Sequence, residues 1–150
     1  MKAAIALTAL LVLSQPAMAK DRPAVEFIGE PAVKGQRLPF SDAVRVGDML
    51  YLSGALGVKA DGTLPAGIEA QARQTMDNIG AVLKRSGLGF GDVVKCTVML
   101  DNMADWPAFN QVYVTYFPDK KFPARSAFGA DGLALGALLE VECWAYAGKR

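Results

Sequence analysis

The sequence predicts a single domain of the α/β (α+β) class, in which two helices pack on one face of a mixed β-sheet. Residues 68–86 repeat apolar side chains at helical spacing, whereas residues 138–147 alternate in the manner of a strand. Residues 20–150, which follow a predicted leader, number 131 and suit one domain with one core. Helices and strands are mixed along this length, which favours a layered sandwich.

The first predicted elements are a leading segment and a hairpin. Residues 20–38 are rich in Pro, Gly and charge, show little periodicity and indicate an extended segment. Residues 42–46 and 49–53 predict two strands joined by the two-residue turn 47–48. Because Gly47 is the first turn residue, the turn favours type II′ geometry.

The clearest helix is predicted for residues 68–86. Gly87 is well placed to end it in the left-handed conformation. One apolar stripe runs along this helix and consists of Ile68, Ala72, Met76, Ile79 and Leu83.

The rest of the chain predicts a strand, a second helix and two more strands. Residues 93–100 are enriched in β-branched side chains. Asp105 is placed to cap a helix that has Pro107 in its first turn and ends at Pro118. The last two strands are predicted at residues 124–130 and 138–147. The resulting order is ββ(β)αβαββ.

Residues 1–19 have the order of a secretory signal peptide. Lys2 supplies a positive charge, residues 3–13 form an apolar run, and an A-x-A pattern ends at Ala19. The run is shorter than the roughly 20 apolar residues that span a bilayer. We therefore expect cleavage after Ala19, a periplasmic or secreted protein, and no membrane segment in the mature chain. An N-terminal helix of the mature fold is the alternative.

Charge and composition exclude several functions. The chain has 16 Lys and Arg against 15 Asp and Glu, and removal of Lys2 leaves the two signs balanced. Such a chain offers no electrostatic argument for nucleic acid or an anionic membrane. It has no histidine, which excludes a His-assisted nucleophile and a His-ligated zinc site. We predict neither a metal nor a cofactor.

Cys96 and Cys143 are the only cysteines, and each lies within an apolar, strand-like run. Two separate small buried side chains are the commoner role for such residues. A disulfide is the alternative, and it requires the two strands to be neighbours.

Two features stand out chemically. Glu140 and Glu142 lie inside a strongly apolar strand and share their face with bulky apolar residues, which indicates a cleft where this face meets other subunits. A solvated sheet face is the alternative. Arg125 opens a strand after a proline, and its planar fork matches a carboxylate through two parallel hydrogen bonds. It can clamp a ligand or form an ion pair with Glu140 or Glu142.

Five segments of the chain carry a resemblance, in order and with consistent spacing. They are residues 51–54 (YLSG), 71–79 (QARQTMDNI), 91–98 (GDVVKCTV), 123–126 (PARS) and 133–142 (LALGALLEVE). Together they resemble the Rid family, the reactive-intermediate deaminases. The resemblance covers nearly the whole mature chain, so that residues 20–150 are interpreted as one Rid-like domain.

The resemblance implies a chorismate-mutase-like fold and a homotrimer with clefts between subunits. It implies that Arg125 binds the substrate carboxylate and that Glu140 positions or activates water. Ser53, Gly54 and the backbone near Ala127 are implied to contact the ligand. The implied reaction is hydrolysis of enamines and imines, such as 2-aminoacrylate and other 2-imino acids, to 2-oxo acids and ammonia.

Two positions depart from the family pattern. Phe40 stands where a tyrosine is usual, in the wall of the implied substrate site, and Ala127 replaces a common cysteine. A trimer of the same fold that binds a small carboxylate or metabolite without chemistry is therefore the alternative function. A ribonuclease or chaperone-like surface is a third reading, which the balanced charge and absent histidine disfavour.

Overall fold

The computed structural model describes residues 22–33 and 35–148, which contain nine strands and two α-helices. The strands are β1 (Val25–Ile28), β2 (Ala32–Val33), β3 (Gln36–Arg37), β4 (Ala43–Val46), β5 (Met49–Leu52), β6 (Ala55–Leu56), β7 (Val93–Leu100), β8 (Ala124–Gly129) and β9 (Leu139–Tyr146). The helices are α1 (Ile68–Arg85) and α2 (Trp106–Tyr113). The predicted signal peptide lies outside the described residues.

One mixed sheet runs in the order β1-β4-β5-β9-β7-β8, and the short β6 also pairs with β9. All of its pairings are antiparallel except that of β7 with β8. The parallel pair requires a crossover, which α2 provides. β2 and β3 form a separate two-stranded hairpin. The predicted fold class is confirmed.

The sheet has one buried face and one open face. In β9 the side chains of Leu139, Val141, Cys143 and Ala145 are fully buried beneath the helices, whereas Trp144 and Tyr146 are 40% and 37% exposed on the other face. The predicted alternation of this strand is confirmed. Neighbouring strands add exposed apolar side chains to the open face, among them Phe27 and Tyr51.

α1 begins and ends close to its predicted bounds. Its buried residues are Gln71, Ala72, Thr75, Met76, Ile79 and Leu83. Gly87 ends the helix at φ +75°, and the amide of Leu88 donates to the carbonyl of Leu83. This positive φ costs glycine little, so the helix stops where the sequence predicts.

α2 is capped differently from the prediction. The Asp105 side chain makes no capping hydrogen bond, because a 3₁₀ turn (Met103–Asp105) runs directly into the helix. Asn102 caps that turn instead, and its side-chain oxygen accepts a hydrogen bond from the amide of Ala104 at 3.0 Å.

The leading segment was predicted to be extended, and it is, but the prediction assigned no strand to it, which is wrong. β1 pairs with β4 at the edge of the sheet, and its Phe27 is 72% exposed. Its exposed side chains leave no alternating burial pattern, so the sequence carries no strand signal there.

The prediction of two separate buried cysteines is also wrong. Cys96 of β7 and Cys143 of β9 lie directly opposite each other and form a disulfide, with Cα atoms 4.1 Å apart. Both residues are fully buried. The pairing depends on the register of two strands that are distant in sequence, which local patterning does not reveal.

We expect the cross-link to contribute strongly to stability. The two cysteines are 47 residues apart, and closing a loop of that length corresponds to about 4 kcal/mol in the chain-entropy model. The double variant Cys96→Ala/Cys143→Ala should therefore melt on the order of 10 °C below the wild type. Reductant should lower the melting temperature of the wild type but not of the variant. Equal melting temperatures for both proteins would contradict the prediction.

Among the described residues, no helix combines the length and apolar character needed to cross a bilayer.

Candidate functional site

Arg125 lies near the start of β8, and its guanidinium contacts aromatic rings of α2. The guanidinium carbon is 4.4 Å from the ring centre of Trp106, 4.5 Å from that of Tyr113 and 6.0 Å from that of Phe109. Because α2 is the crossover from β7 to β8, it packs directly over this part of the sheet.

No carboxylate neutralises Arg125 within the described part of the chain. Its hydrogen-bond donors are also without a protein partner there, so the ion pair with Glu140 or Glu142 does not form. A cavity of about 310 Å³ adjoins the guanidinium and is lined by Tyr113, Val114, Phe122, Pro123 and Arg125. A half-buried guanidinium facing a cavity is a suitable receptor for a planar anion.

Burial also affects Tyr113. Its side chain is 2% exposed, and its hydroxyl has no hydrogen-bond partner. Burial raises the pKa of Tyr113 to about 12, while the positive charge of Arg125 acts in the opposite direction. The phenol is therefore neutral at physiological pH.

Glu140 lies on the open face of the sheet and is half-buried against Gly54. A Cβ atom added to Gly54 would overlap the carboxylate of Glu140. Burial raises the pKa of Glu140, and the negative charge of Glu142 raises it further. Glu142 in turn accepts a hydrogen bond from Trp144 Nε1 at 2.8 Å. Glu140 itself has no ion pair among the described residues, so its carboxylate is available to water or a ligand.

Ser53 and Phe40 lie near Gly54. Ser53 Oγ donates a hydrogen bond to the carbonyl of Ser41 at 2.7 Å, which fixes the segment that carries Phe40. The Ser53 hydroxyl therefore has only its acceptor lone pairs free for a ligand. Phe40 is 48% exposed and lines, with Ser53, two adjoining open cavities of about 630 and 480 Å³.

Sequence reasoning missed two amide side chains, those of Asn78 and Gln71, which hold the backbone near Gly54 and Glu140 in place. Asn78 Nδ2 donates to the carbonyls of Leu56 and Val58, each at 2.9 Å. Gln71 is buried, and its side-chain oxygen accepts a hydrogen bond from the amide of Leu138, at the start of the segment that leads into Glu140. No local sequence pattern marks these two side-chain amides, because their hydrogen-bond partners are distant in sequence.

The structure divides the predicted site residues into two groups on opposite faces of the sheet. Phe40, Ser53 and Gly54 lie with Glu140, whereas Arg125 and Ala127 point to the helix side. Arg125 and Ala127 pair with Cys96 and Val98 of β7, whose side chains are buried beneath the helices.

The two groups are also far apart along the sheet. Arg125 pairs with Cys96 of β7, which pairs in turn with Cys143 of β9, so Arg125 and Cys143 are two strand spacings apart. Glu140 lies three residues from Cys143 along β9. This register separates the Cα atoms of Arg125 and Glu140 by roughly 14 Å. A single small molecule cannot contact both side chains within one copy of the chain.

The model of the endoribonuclease L-PSP family matches residues 32–147. The chain belongs to this family. The match includes every predicted site residue and excludes the predicted signal peptide.

Two relatives of this L-PSP-family chain have names that state an activity. The goat (Capra hircus) 2-iminobutanoate/2-iminopropanoate deaminase is 43% identical over 112 residues, which cover 73% of this chain and 81% of the goat protein. The chloroplastic Reactive Intermediate Deaminase A of Arabidopsis thaliana is 37% identical over 115 residues, which cover 75% of this chain and 59% of that protein.

Solved structures share the fold. YyfA from Yersinia pestis, a protein of the conserved Rid family, has a TM-score of 0.74 and 34% identity, covering 82% of this chain and 99% of that one. TdcF from E. coli, solved with bound serine, has a TM-score of 0.72 and 27% identity, covering 86% of this chain and all of that one. The fold is therefore the chorismate-mutase-like fold of the Rid proteins, as the resemblance implied.

Among the described residues, no group of three His, Cys, Asp or Glu side chains is placed to hold a metal ion.

Proposed function

We propose that this chain is a hydrolytic deaminase of reactive enamines and imines. Its substrates are 2-aminoacrylate and other 2-imino acids, and its products are 2-oxo acids and ammonia. The observation that carries the proposal is the unpaired guanidinium of Arg125, which faces a cavity and offers its fork to a carboxylate. The names of the goat and Arabidopsis relatives, and the amino acid bound to TdcF, support the same chemistry.

The opposite placement of Arg125 and Glu140 supports a site shared between two copies of the chain. We propose a homotrimer in which Arg125 and the Ala127 backbone of one subunit meet Phe40, Ser53, Gly54 and Glu140 of the next. The open sheet face supports this assembly, because Tyr51, Trp144 and Tyr146 form too much apolar surface for water to cover favourably.

The reaction balances without a cofactor. An enamine first tautomerises to its imine, whose carbon is already electrophilic. Arg125 holds the carboxylate and fixes that carbon in place. Glu140 takes a proton from water as the oxygen adds to the imine carbon and gives it to the nitrogen, which forms a carbinolamine. It then takes the remaining hydroxyl proton and gives that to the nitrogen as well. The C–N bond breaks, leaving a carbonyl and ammonia.

A trimer that binds small carboxylates without chemistry is the second candidate. Phe40 favours it, because this wall of the cleft offers a bare ring where a tyrosine would offer a hydroxyl. In that case 2-oxo acids would raise the melting temperature, and imines would persist.

We also propose that the protein is exported and that residues 1–19 are removed after Ala19. The disulfide between Cys96 and Cys143 supports export, since disulfides persist in oxidising compartments. N-terminal sequencing of the protein from the producing cell should begin at Lys20.

The direct test is ammonia release from freshly generated 2-imino acids in the presence of the mature protein. Release above the uncatalysed rate would support deamination. Stabilisation by 2-oxo acids without release would favour the binding trimer, and absence of both would contradict both candidates.

Complementation between two inactive variants tests the shared site. Arg125→Ala and Glu140→Gln subunits, unfolded together and refolded as mixed trimers, should form some interfaces with Arg125 from one copy and Glu140 from the other. Random mixing at equal amounts predicts roughly a quarter of wild-type activity. Separately refolded variants are the control. Mixed trimers with no more activity than these controls would contradict the shared site.

A further inference from the structure

We propose that Trp106 and Tyr113 are positioning residues, which clamp the guanidinium of Arg125 between their rings and thereby aim its fork at the substrate carboxylate. This inference rests on the proposed role of Arg125 as the carboxylate receptor. It assigns the aromatic face of α2 to the site rather than to the core alone.

The geometry of α2 creates the clamp. Trp106 and Tyr113 are the first and last residues of the helix, so that their Cα atoms are separated by roughly 10 Å along its axis. The Arg125 guanidinium carbon is within 4.5 Å of both ring centres. The guanidinium therefore bridges the rings of two residues that are about two helical turns apart.

A clamped guanidinium is better prepared for a planar ligand than a free one. The ring faces attract the cation through their negative electrostatic potential. Rings on both sides of the guanidinium favour an orientation that keeps its edge, which carries the N–H donors, free for two parallel hydrogen bonds. Fewer side-chain conformations are then lost when the carboxylate binds.

The hydroxyl of Tyr113 shows whether this residue contacts Arg125 through its ring or through a hydrogen bond of its oxygen. It is buried and makes no hydrogen bond. Tyr113 therefore interacts with Arg125 through its ring rather than through its oxygen. Phenylalanine should replace it functionally, whereas leucine should not.

The test measures the affinity of the mature protein for 2-oxobutanoate by titration calorimetry. Trp106→Leu and Tyr113→Leu should each weaken binding about tenfold. Trp106→Phe and Tyr113→Phe keep a ring and should remain within about threefold of the wild type. Phe90→Leu is the matched control, because Phe90 packs against Tyr116 and Phe117 but not against Arg125; its affinity should not change.

A double-variant cycle separates the clamp from general packing. In an Arg125→Ala background, Trp106→Leu should have no further effect on affinity. An equal effect in both backgrounds would overturn the clamp. If Arg125→Ala itself leaves affinity unchanged, the proposed function fails instead.

A second measurement does not depend on binding. In the free protein, ¹⁵N NMR should show slow rotation of the Arg125 guanidinium in the wild type and in the phenylalanine variants, and fast rotation in the leucine variants. Fast rotation in the wild type would also overturn the proposal. This readout remains available if a leucine variant is less stable.

Discussion

Replacement of Arg125 with alanine is expected to lower kcat/KM for 2-iminobutanoate by about a thousandfold or more, since it removes both the paired hydrogen bonds and the orientation they impose. The guanidinium has no carboxylate partner within the described residues, so its removal leaves no buried acid uncompensated. The variant should therefore fold, with its disulfide and assembly unchanged. Steady-state kinetics with an ammonia readout provides the measurement.

Two further variants sharpen this test. Arg125→Lys keeps the charge but loses the planar fork and its stacking, so it should recover only a small part of the activity. Arg73→Ala removes an exposed arginine from α1 and should behave as the wild type. A fully active lysine variant would show that charge alone suffices. An active alanine variant would exclude Arg125 from the site.

The sequence predicts most of the fold because its core signals are local. The stripe of α1 and the alternation of β9 each arise within one element, where the spacing of side chains determines which face is buried. The hairpin of β4 and β5 is equally local, and Gly47 adopts the positive φ, +56°, that its turn requires. Each of these elements is found close to its predicted bounds.

The errors concern contacts between elements. β1 is recognisable only through its pairing with β4, and the disulfide depends on the register between β7 and β9. The same reason explains why the sequence did not link Trp106 and Tyr113 to the site: nothing in the sequence places α2 over the start of β8. A sequence pattern indicates the periodicity of its own segment, but it does not indicate which other segment packs against it.

The residues of the candidate site were predictable from the sequence, but their arrangement in space was not. Arg125 and Glu140 were identified as the unusual charges in apolar strands, and both are half-buried and unpaired among the described residues. Their placement on opposite faces follows from the sheet register alone. That register is the basis for our proposal that the site is shared between two subunits.

Glu140→Gln is the second substitution with a large expected effect. Glutamine keeps the size of the side chain beside Gly54 but cannot accept a proton, so kcat should fall by about a hundredfold to ten-thousandfold. KM should change little, since the carboxylate of the substrate is held by Arg125. A fall in affinity with unchanged kcat would assign Glu140 to binding instead of proton transfer.

The pH dependence of activity provides a second test of Glu140 as the base. Glu140 must be ionised to accept a proton, so kcat/KM should fall as the pH drops through the pKa of Glu140. Burial, and then the negative charge of Glu142, raise this pKa above its ordinary value. Glu142→Gln removes the repelling charge and lowers the pKa of Glu140, which should move this fall to lower pH. Trp144 can still donate to the amide oxygen of that variant, as it does to Glu142, so the local packing is kept. An unchanged pH profile would mean that another group is the base.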